Sequence, residues 1–550
     1  GNPPYNVSTQ NKNDWIDGLI DEYKKDLNER NIQPLSDDYI KFIRLGQHYI
    51  ERNGEGILAY ISNNGFIDGL IHRQMRKKML EVFDTIYILD LHGNAKKRET
   101  APDGGRDENV FNIQQGVSIN IFVKTGSKKT NELATVFHCD LYGKRKEKYA
   151  FLRGTRLRTV KWKKLKLSAP HYFFVPKDFS QKNKYEKGFK IVELFPVNSI
   201  GISFRKDNLL VKNNFTPADV KRMLHVLNTK EDEEIRKTYH LKETNDWKLK
   251  DKKELFAQSD YHDICAVQYR PFDCRYTYYP LSKIDKIIVR GDSRKNLMQH
   301  FLKGENVGLL TCRRQSSFDF QHVFVSKIIT ERCAVSLQTS EATYVFPLYL
   351  YPSGTVLPDT ALRTPNLDAK IVEKIAQAIQ LEFEPEKSGN TKKFAPIDIL
   401  DYIYAVLHSP TYREKYKEFL KIDFPRVPYP DDVKTFWQLV KLGGKLRKLH
   451  LMEGVEPLAG TANFPIAGSN EVEKTQYADD KVSINTTQYF DHVTSNVWNF
   501  YIGGYQPAQK WLKDRKGKTL NFDDIQHYRK IVCVLTETME VMDEIDACCG

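Results

Sequence analysis

The sequence has no apolar run near the roughly 20 residues that a membrane-spanning helix needs, and no charged-then-apolar leader. These absences argue against a membrane or exported protein, so we expect a cytoplasmic location. The eight cysteines form no CxxC pair and have no His partner at a zinc-like spacing, so we expect reduced thiols and no metal site. No GxxxxGK[ST] loop occurs, so no ATP-driven motor is expected within this chain.

The composition excludes a disordered or collagen-like chain. Hydrophobic residues make up 40%, aromatic residues 12% and charged residues 28% of the 550 residues, which is typical of a folded globular protein. At roughly 150 residues per domain, the length predicts about three or four domains. The 84 Lys and Arg residues exceed the 71 acidic residues, and the resulting net charge of +13 favours a polyanionic partner.

The motif Asn2-Pro3-Pro4-Tyr5 stands at the start of the sequence. Each proline holds φ at about −65° and lacks an N–H, so the segment cannot continue a strand and presents its carbonyl groups outward. The amide oxygen of Asn2 and the carbonyl of Pro3 could accept both hydrogens of an exocyclic amine, while Tyr5 offers a flat face for a base. The alternative is a simple turn before a helix, and we favour the chemical interpretation.

Helices and short apolar strands alternate after this motif. The periodicity predicts a helix opened by Ser36, Asp37 and Asp38, a strand at 57–61, a helix at about 68–82, and strands at 85–89 and 117–123. A polar loop from His92 to Gln115 precedes the last strand. This alternation predicts an α/β layered sheet, and active sites in such sheets lie at the carboxyl ends of the strands.

The motif and the elements after it resemble the second half of the methyltransferase domain of N6-adenine DNA methyltransferases, in the arrangement where the recognition domain follows the catalytic one. The resemblance implies the C-terminal half of a Rossmann-like domain dependent on S-adenosylmethionine. It implies that Asn2, Pro3, Pro4 and Tyr5 form the catalytic loop, in which Asn2 and Pro3 hold the N6 amine and Tyr5 stacks on a flipped adenine. It further implies that Phe122 closes the base pocket and that Phe42 touches S-adenosylmethionine. Core packing is the alternative for Phe42 and Phe122.

One departure from that family concerns the cofactor. A Gly-rich strand-to-helix turn that binds S-adenosylmethionine should lie upstream of the motif, and the sequence has none there or downstream. Residues 103–106 (Asp-Gly-Gly-Arg) sit in a long loop and follow no strand. We therefore expect the C-terminal part of a larger enzyme, with no methyl transfer by the isolated chain and no S-adenosylmethionine bound tightly to it alone.

A strongly basic segment, residues 144–166, contains eleven Lys or Arg residues against the single acid Glu147. Apolar residues alternate with these charges, so one face can join a core while the other meets phosphate, and we favour nucleic-acid contact over a solvated surface. More arginine clusters follow later in the chain. The candidate nucleic-acid-binding residues are Arg153, Arg156, Arg158, Lys161, Lys163, Arg270, Arg290, Arg294, Arg313 and Arg314.

Later stretches resemble the C-terminal specificity region of single-polypeptide, Type I-like restriction-modification enzymes (Type ISP). These stretches are Tyr269-Arg270-Pro271-Phe272-Asp273, residues 347–352, residues 398–426 and Gly504-Tyr505-Gln506-Pro507. The resemblance implies double-stranded DNA as a partner, and an upstream portion of the same polypeptide with the rest of the methyltransferase, a motor and a nuclease. We predict a partial methyltransferase domain at 1–140, a sheet-rich basic target-recognition domain at 141–365, a helical segment at 366–455, and a strand-rich return with a C-terminal helix at 456–550.

The sequence thus predicts the C-terminal part of a site-specific adenine-N6 DNA methyltransferase of a restriction-modification system. Three alternatives stay open: a DNA-binding specificity module without activity of its own, methylation of cytosine N4, and methylation of a protein amide. The long region after the methyltransferase segment, with its basic clusters, favours DNA over a protein target. Asn at the first motif position favours adenine by the family resemblance.

Overall fold

The computed structural model describes residues 1–6, 9–29, 31–95, 97, 99–129, 131–257, 259–289, 291–315, 319–337, 341–352, 363–457 and 461–549. The chain divides into two compact units, Gly1–Asp178 (unit 1) and Phe179–Gly550 (unit 2), and both combine helices with β-sheets. The predicted mixed α/β class is therefore confirmed. Within the described ranges, no helix is long and apolar enough to cross a membrane.

Unit 1 contains a five-stranded mixed sheet and helices that contact it. Its helices are α1 (Asp14–Lys24), α2 (Asp38–Asn53), α3 (Gly65–Asp68), α4 (Arg73–Val82) and α5 (Arg145–Gly154), with 3-10 turns at Gln33–Ser36, Leu70–His72 and Leu157–Thr159. Its strands are β1 (Gly56–Asn63), β2 (Thr85–Asp90), β3 (Val117–Lys124), β4 (Thr135–Asp140) and β5 (Lys163–Lys164). The helix expected after Ser36 and the strands expected at 57–61, 85–89 and 117–123 are confirmed.

The strand directions bring several strand ends to one edge of this sheet. The strand order is β1-β3-β2-β4-β5. Strand β3 is antiparallel to both β1 and β2, and β4 is parallel to β2. The carboxyl ends of β1, β2 and β4 and the start of β3 therefore lie at the same edge, which we call the carboxyl edge.

The sheet contains two strands, β4 and β5, that follow β3 in the chain and were not predicted from the sequence. Strand β4 was missed because His138 and Cys139 interrupt its apolar run. The aromatic run at 172–175 lies in the predicted sheet-rich region (141–365) but forms a loop. Phe174 in this loop is fully buried in the core of unit 1, and its N–H donates to the carbonyl of Ile67 at 2.8 Å. Burial of aromatic rings explains this run without a strand.

Unit 2 contains many short elements and three long helices. Its helices are α6 (Lys182–Tyr185), α7 (Ile191–Leu194), α8 (Asp207–Leu210), α9 (Pro217–Thr229), α10 (Asp232–Tyr239), α11 (Leu249–Ala257), α12 (Ile284–Ile287), α13 (Lys295–Met298), α14 (Ala369–Ile379), α15 (Pro396–His408), α16 (Pro410–Lys415), α17 (Lys417–Leu420), α18 (Val433–His450), α19 (Ser495–Asn499), α20 (Pro507–Lys513) and α21 (Phe522–Cys549), with 3-10 turns at Tyr261–Asp263 and Gln299–Phe301. The predicted helical segment at 366–455 contains α14 to α18, and the predicted C-terminal helix is α21.

The strands of unit 2 form small sheets. They are β6 (Phe189–Lys190), β7 (Ser199–Ile200), β8 (Ile264–Arg270), β9 (Asp273–Tyr278), β10 (Gly308–Cys312), β11 (Val323–Ser326), β12 (Ile329–Thr330), β13 (Thr343–Pro347), β14 (Tyr349–Leu350), β15 (Thr364–Pro365), β16 (Glu382–Phe383), β17 (Lys393–Phe394), β18 (Arg426–Val427), β19 (Gln476–Ala478), β20 (Lys481–Ser483) and β21 (Tyr489–Phe490). The larger sheets are β11-β10-β13-β7, β12-β8-β9 and β19-β20-β21. Three two-stranded pairs complete the set among the described residues: β14-β15, β16-β17 and β18-β6.

One connected hydrophobic core extends through unit 2, from Tyr185 to Ile545. It includes the apolar faces of α15, α18 and α21, and α15 and α18 contact each other most extensively. The sequence divided this region at residues 365 and 455, whereas the structure groups it into one unit. The strand-rich return expected within 456–550 contains only the short strands β19 to β21 among its described residues.

Candidate functional site

The first residues of unit 1 lie beside β1. The Gly1 amine donates to the carbonyl of Ala59 at 2.7 Å, and the Ile61 N–H donates to the carbonyl of Gly1 at 2.9 Å. This pair of bonds has the pattern of a parallel strand. Because Gly1 is aligned with the middle of β1, the next residues run toward the carboxyl end of that strand. The Asn2-Pro3-Pro4-Tyr5 loop therefore lies at the carboxyl edge.

Asn2 and Tyr5 contact each other within this loop. The Tyr5 hydroxyl donates to Asn2 Oδ1 at 3.3 Å, and the Asn2 side chain is exposed. The half-buried Tyr5 ring meets the buried Tyr39 ring of α2 edge to face, with centroids 6.1 Å apart. Burial raises the pKa of Tyr5 to about 12, and the negative charge of Asp37 adds to the shift. Tyr5 is therefore a neutral, ring-presenting group at physiological pH.

The start of α2 holds the end of this loop. The Asn6 N–H donates to Asp37 Oδ1 at 2.9 Å, and the Asp38 N–H donates to the carbonyl of Asn6 at 3.4 Å. The hydroxyl of Thr9 donates to the Asp38 carboxylate. The carboxylates expected from the sequence to open the helix thus also bind the residues that follow the Asn2-Pro3-Pro4-Tyr5 motif. Pro3 is buried, whereas Pro4 is exposed. One side of the loop therefore packs against the protein, and the other side faces solvent.

The two phenylalanines named by the family resemblance have different surroundings. Phe42, on α2, is partly exposed. Phe122, on β3, has no exposed surface and packs against Phe83 with ring centroids 5.3 Å apart. A fully buried ring cannot stack on a base, so the position of Phe122 agrees with the core-packing alternative and its base-stacking role is not supported.

A second polar cluster at the carboxyl edge was not identified from the sequence. His92, just beyond β2, places Nε2 2.8 Å from Asp140 Oδ1 at the end of β4. Its Nδ1 lies 3.6 Å from Asp90 Oδ2 and 3.8 Å from Glu99 Oε1. The His92 ring stacks on Tyr142 with centroids 3.8 Å apart. Polar residues directly after two apolar strands were the signal that could have predicted this cluster.

These carboxylates control the protonation of His92. Burial by itself lowers the pKa of this imidazole, but the hydrogen bond to Asp140 and the nearby carboxylates of Glu99 and Asp90 raise it to about 10. Burial also raises the pKa of Asp90 to about 6, although His92 and Asn64 oppose that shift. His92 is therefore an imidazolium at neutral pH, and it links the strand ends to the long loop that begins there.

The same cluster contains a possible ligand set for a metal ion. Asp90, His138 and Asp140 bring one ligand atom each within 4.8 Å of one another among the described residues. Asp90 Oδ1 already accepts hydrogen bonds from Asn64 at 2.9 Å and from the His92 N–H at 3.0 Å. Because His92 also binds Asp140, we interpret this cluster as an imidazolium–carboxylate network.

The basic segment of unit 1 is largely exposed. It comprises α5, a 3-10 turn and β5, and Trp162 anchors it through an Nε1–H bond to the Leu157 carbonyl at 2.8 Å. Two of its cations face inward: Lys148 is fully buried and lies 2.7 Å from Asp107, and Arg145 donates to the Asn109 carbonyl at 2.7 Å. Five of the predicted nucleic-acid-binding residues lie in this segment. All five are exposed and form no ion pair with described residues: Arg153, Arg156, Arg158, Lys161 and Lys163.

The predicted arginines of unit 2 have other surroundings. Arg270 is buried and its Nη1 lies 2.6 Å from Glu331 Oε2, so its charge is already paired within the fold, and its contact with nucleic acid stays a prediction. Arg294 is half-buried, 4.0 Å from Asp292. Arg313 is exposed but pairs with Asp423 at 2.9 Å. Arg314 is exposed. Arg290 lies outside the described residues.

Two known families match the chain, one within unit 1 and the other within unit 2. The family described as "Type ISP C-terminal specificity domain" matches residues 193–544, which is more than half of the chain. The family described as "Eco57I restriction-modification methylase" matches residues 1–96. The recognition of a methylase segment followed by a Type ISP specificity region is therefore confirmed. No curated protein matches the sequence.

Several solved structures have a similar fold. The chain is similar to the ATP-dependent Type ISP restriction-modification enzyme LlaBIII bound to DNA, with a TM-score of 0.74 and 19% identity over 99% of this chain and 37% of that one. A nuclease-deletion mutant of the Type ISP enzyme LlaGI in complex with a DNA substrate mimic gives a TM-score of 0.71 and 20% identity, over 99% and 44%. A complex of DrdV with DNA gives 0.72 and 19%, over 99% and 56%. The chain spans less than half the length of the first two proteins.

Proposed function

The chain belongs to the Type ISP C-terminal specificity family, and on that basis we propose that it is the catalytic-loop and target-recognition part of a site-specific adenine-N6 DNA methyltransferase of a restriction-modification system. The proposed reaction transfers a methyl group from S-adenosylmethionine to an adenine that has been flipped out of duplex DNA. The observation that carries the proposal is the position of Asn2 and Tyr5 together at the carboxyl edge of the unit 1 sheet, where α/β sheets bind their ligands.

The architecture of unit 1 supports a Rossmann-like origin for this sheet. Strands β1 and β2 are parallel, and the antiparallel strand β3 lies between them. Gly1 pairs with the other side of β1 in the parallel pattern. We infer that unit 1 corresponds to the C-terminal half of such a domain, in which the edge of β1 would pair with further strands.

The proposed chemistry depends on hydrogen-bond acceptors that hold the target amine. The lone pair of an adenine amine is delocalised into the ring, so its nitrogen is a poor nucleophile until it moves toward tetrahedral geometry. The amide oxygen of Asn2 and the carbonyl of Pro3 would accept its two hydrogens and stabilise the positive charge that develops on nitrogen. Tyr5, held edge-on by Tyr39, would present its ring face to the flipped base.

S-adenosylmethionine would supply the methyl group, but the described residues do not form a complete pocket for it. The strand-to-helix turn after β1 has one glycine, Gly65, and a Cβ there would meet Asn63 Oδ1 at 3.2 Å and the Tyr39 hydroxyl at 3.6 Å. This turn is not a Gly-rich cradle. Phe42 is the residue of this chain that we propose on the cofactor side, since it is partly exposed on α2. The rest of the pocket would come from other residues of a longer polypeptide.

Duplex DNA is the proposed partner because both the charge and the family point to it. The exposed cations of the basic segment form no ion pairs among the described residues and can neutralise phosphates. The DNA-bound state of LlaBIII, LlaGI and DrdV in the similar structures supports the same partner. Base reading by the specificity region then selects the adenine that Asn2 and Tyr5 receive.

The test is single-turnover methylation by an enzyme that joins this chain to an upstream methyltransferase half. Asn2→Ala should lower the methylation rate roughly a hundredfold or more, because it removes a preorganised transition-state contact, and should change DNA affinity little. Asn6→Ala is the matched control, since it truncates an exposed amide in the same segment and keeps the backbone bonds to α2. Nucleoside mass spectrometry distinguishes N6-methyladenine from N4-methylcytosine. Equal rates for Asn2→Ala and the wild type would contradict the assigned role.

Tyr5 gives a second measurement. Tyr5→Ala should weaken capture of the flipped base by about 1–3 kcal/mol, whereas Tyr5→Phe keeps the ring and should be mild. The fluorescence of 2-aminopurine at the target position reports the extruded base directly. If Tyr5→Phe were as damaging as Tyr5→Ala, the ring would not be the functional part and the hydroxyl bond to Asn2 would take its place.

A specificity module without activity of its own is the second candidate. The specificity family covers residues 193–544, while the methylase family covers only residues 1–96. The isolated chain should then bind its target duplex selectively but neither bind S-adenosylmethionine tightly nor methylate DNA. Calorimetry on this chain decides the point, because micromolar or tighter binding of S-adenosylmethionine would show a complete cofactor pocket.

A further inference from the structure

Unit 2 contains a cavity of about 890 Å³ that the proposed methyl transfer does not use. Four chain segments line it: residues 203–215, residues 269–275 around the β8–β9 turn, residues 331–337, and residues 513–518 at the end of α20. Eight Lys or Arg side chains and three carboxylates belong to its lining. We call it the basic cavity, and its excess of positive charge suits an anionic occupant.

The wall behind the basic cavity contains two arginines that share one carboxylate. Asp273 is fully buried, and its oxygens lie 2.8 Å from Arg275 Nη2 and 3.0 Å from Arg515 Nη2. Asp514, which also lines the cavity, compensates part of the charge of Arg275. Nε and Nη1 of Arg275 are nevertheless buried and have no acceptor among the described residues. The wall therefore has two guanidinium groups beside one fully buried carboxylate, with unused donors on Arg275.

Phe215 separates this buried charge from an ammonium group. The Arg275 guanidinium lies 3.7 Å from the centroid of the Phe215 ring, and Lys518 Nζ lies 3.4 Å from it. Burial lowers the pKa of Lys518, the charge of Asp219 opposes that shift, and the charges of Arg275 and Arg515 add to it. Burial and the charge of Arg515 also lower the pKa of Arg275, against the opposing charge of Asp273. Cations that destabilise one another in this way would gain from a bound anion.

The mouth of the basic cavity has more cations. Lys212, Arg332, Lys516 and Lys518 line it, and all four side chains are exposed. None of them forms an ion pair in the part of the chain that the structure describes. An exposed lysine is ordinary by itself, but here four come from three separate segments and converge on a wall that is positive.

We propose that the basic cavity binds a phosphate group, with Lys516, Lys518 and Arg332 as direct donors and with Arg275 and Arg515 as the buried positive charge behind them. A phosphate has several oxygens and a full negative charge, which matches convergent ammonium and guanidinium donors. The group belongs either to the backbone of a duplex or to a free phosphorylated molecule. The first source rests on the proposed DNA-binding function, and the second does not.

The first arm of the test uses inorganic phosphate and the full chain. The double variant Lys516→Met, Lys518→Met removes two cations and keeps apolar stems, including the one against Phe215. The matched control is Lys434→Met, Lys441→Met, which removes two exposed cations from α18. Phosphate, compared with chloride at equal ionic strength, should raise the unfolding temperature of the wild type and the control, but not that of the double variant. An equal response in all three proteins would overturn the proposal.

The second arm measures duplex binding against salt concentration and identifies the source. If a backbone phosphate occupies the basic cavity, the log–log slope should fall in magnitude by about 1–2 in the double variant and stay unchanged in the control. If phosphate raises the unfolding temperature of the wild type but the salt slope of duplex binding is unchanged in the double variant, the cavity binds a free phosphorylated ligand. If neither measurement shows an effect, the proposal is overturned. Unfolding in chloride shows whether the double variant folds, and the exposed single variant Lys516→Met serves if it does not. Neither arm measures methylation, so failure here is distinct from failure of the proposed enzyme function.

Discussion

The basic segment of unit 1 and the arginines of unit 2 use the same kind of residue differently. In unit 1, Arg156, Arg158, Lys161 and Lys163 are exposed and form no ion pair among the described residues. In unit 2, Arg270 and Arg275 are buried and pair with Glu331 and Asp273. The first set has no carboxylate partner among the described residues, whereas each arginine of the second set already has one inside the fold.

This difference shows that the acids near a cation in the sequence predict its role better than the number of cations near it does. Glu147 is the only acid within residues 144–166, so most of these charges have no local partner and stay exposed. The fully buried Lys148 pairs with Asp107 from outside the segment. Arg275 follows Asp273 by two residues, so both side chains point to the same face of β9 and can be buried as a pair. A sequence search for DNA-binding arginines should therefore discount those with an acid two residues away in a strand.

The largest expected effect comes from breaking the buried pairing in unit 2. Asp273→Asn keeps the shape of the side chain but leaves Arg275 and Arg515 without a carboxylate. We expect it to lower the free energy of unfolding of unit 2 by about 3–5 kcal/mol, the cost of an uncompensated buried charge. Denaturant titration of the full chain measures this loss.

The matched control for that measurement is Asp251→Asn, which changes an exposed acid in α11 and should shift the free energy of unfolding by less than about 0.5 kcal/mol. Equal effects of the two substitutions would mean that burial does not separate the two classes of charge. The comparison between the units would then fail.

A buried cation in unit 1 gives an intermediate effect and shows that burial, not the unit, is decisive. The carboxylates of Asp140, Glu99 and Asp90 raise the pKa of His92 to about 10, above its ordinary value of 6.5. The raised pKa means that this stabilisation is complete below pH 6.5 and is lost as the pH rises toward 10. Between pH 6.5 and about 9, the wild type should lose about 3 kcal/mol of stability relative to His92→Gln.

The groups facing His92 define the control for this pH dependence. They are Asp90, Glu99, Asp140, His138 and Tyr142. Burial raises the pKa of Tyr142 and lowers that of His138, so neither gains or loses a proton in the folded state across this interval. His48→Gln, at a partly exposed histidine on α2, is the matched variant and should leave the pH profile unchanged. A His92→Gln profile parallel to the wild type would show that the network does not hold the imidazolium.

The smallest effect on stability should come from the exposed segment of unit 1. Replacing Arg156, Arg158, Lys161 and Lys163 by Ala should change the free energy of unfolding by less than about 0.5 kcal/mol per site. The same change should reduce the magnitude of the salt slope of duplex binding, by roughly 0.9 for each phosphate contact that is lost. An unchanged slope would identify the segment as a solvated surface. The exposed cations of unit 1 would then bind DNA no more than the buried arginines of unit 2.

The sequence predicted the parts of unit 1 that depend on local pattern. Apolar runs predicted β1, β2 and β3, and the acidic residues after Ser36 predicted the start of α2. Strand β4 was missed because His138 breaks its pattern, and Phe122 proved to be a core residue. Periodicity shows that a residue is on a strand, but the neighbouring elements decide whether its side chain is covered.

The candidate site shows the same division. The motif Asn2-Pro3-Pro4-Tyr5 and its chemistry are visible in the sequence, because prolines and an amide act through local geometry. The network around His92 and the shared carboxylate of Asp273 needed the folded chain, because their partners are 48 and 242 residues apart in sequence. Charge and composition are properties of the chain, and local motifs are properties of neighbouring residues. The sequence alone therefore determined all three. Burial and ion pairing depend on which distant segments meet, and only the tertiary structure decided them.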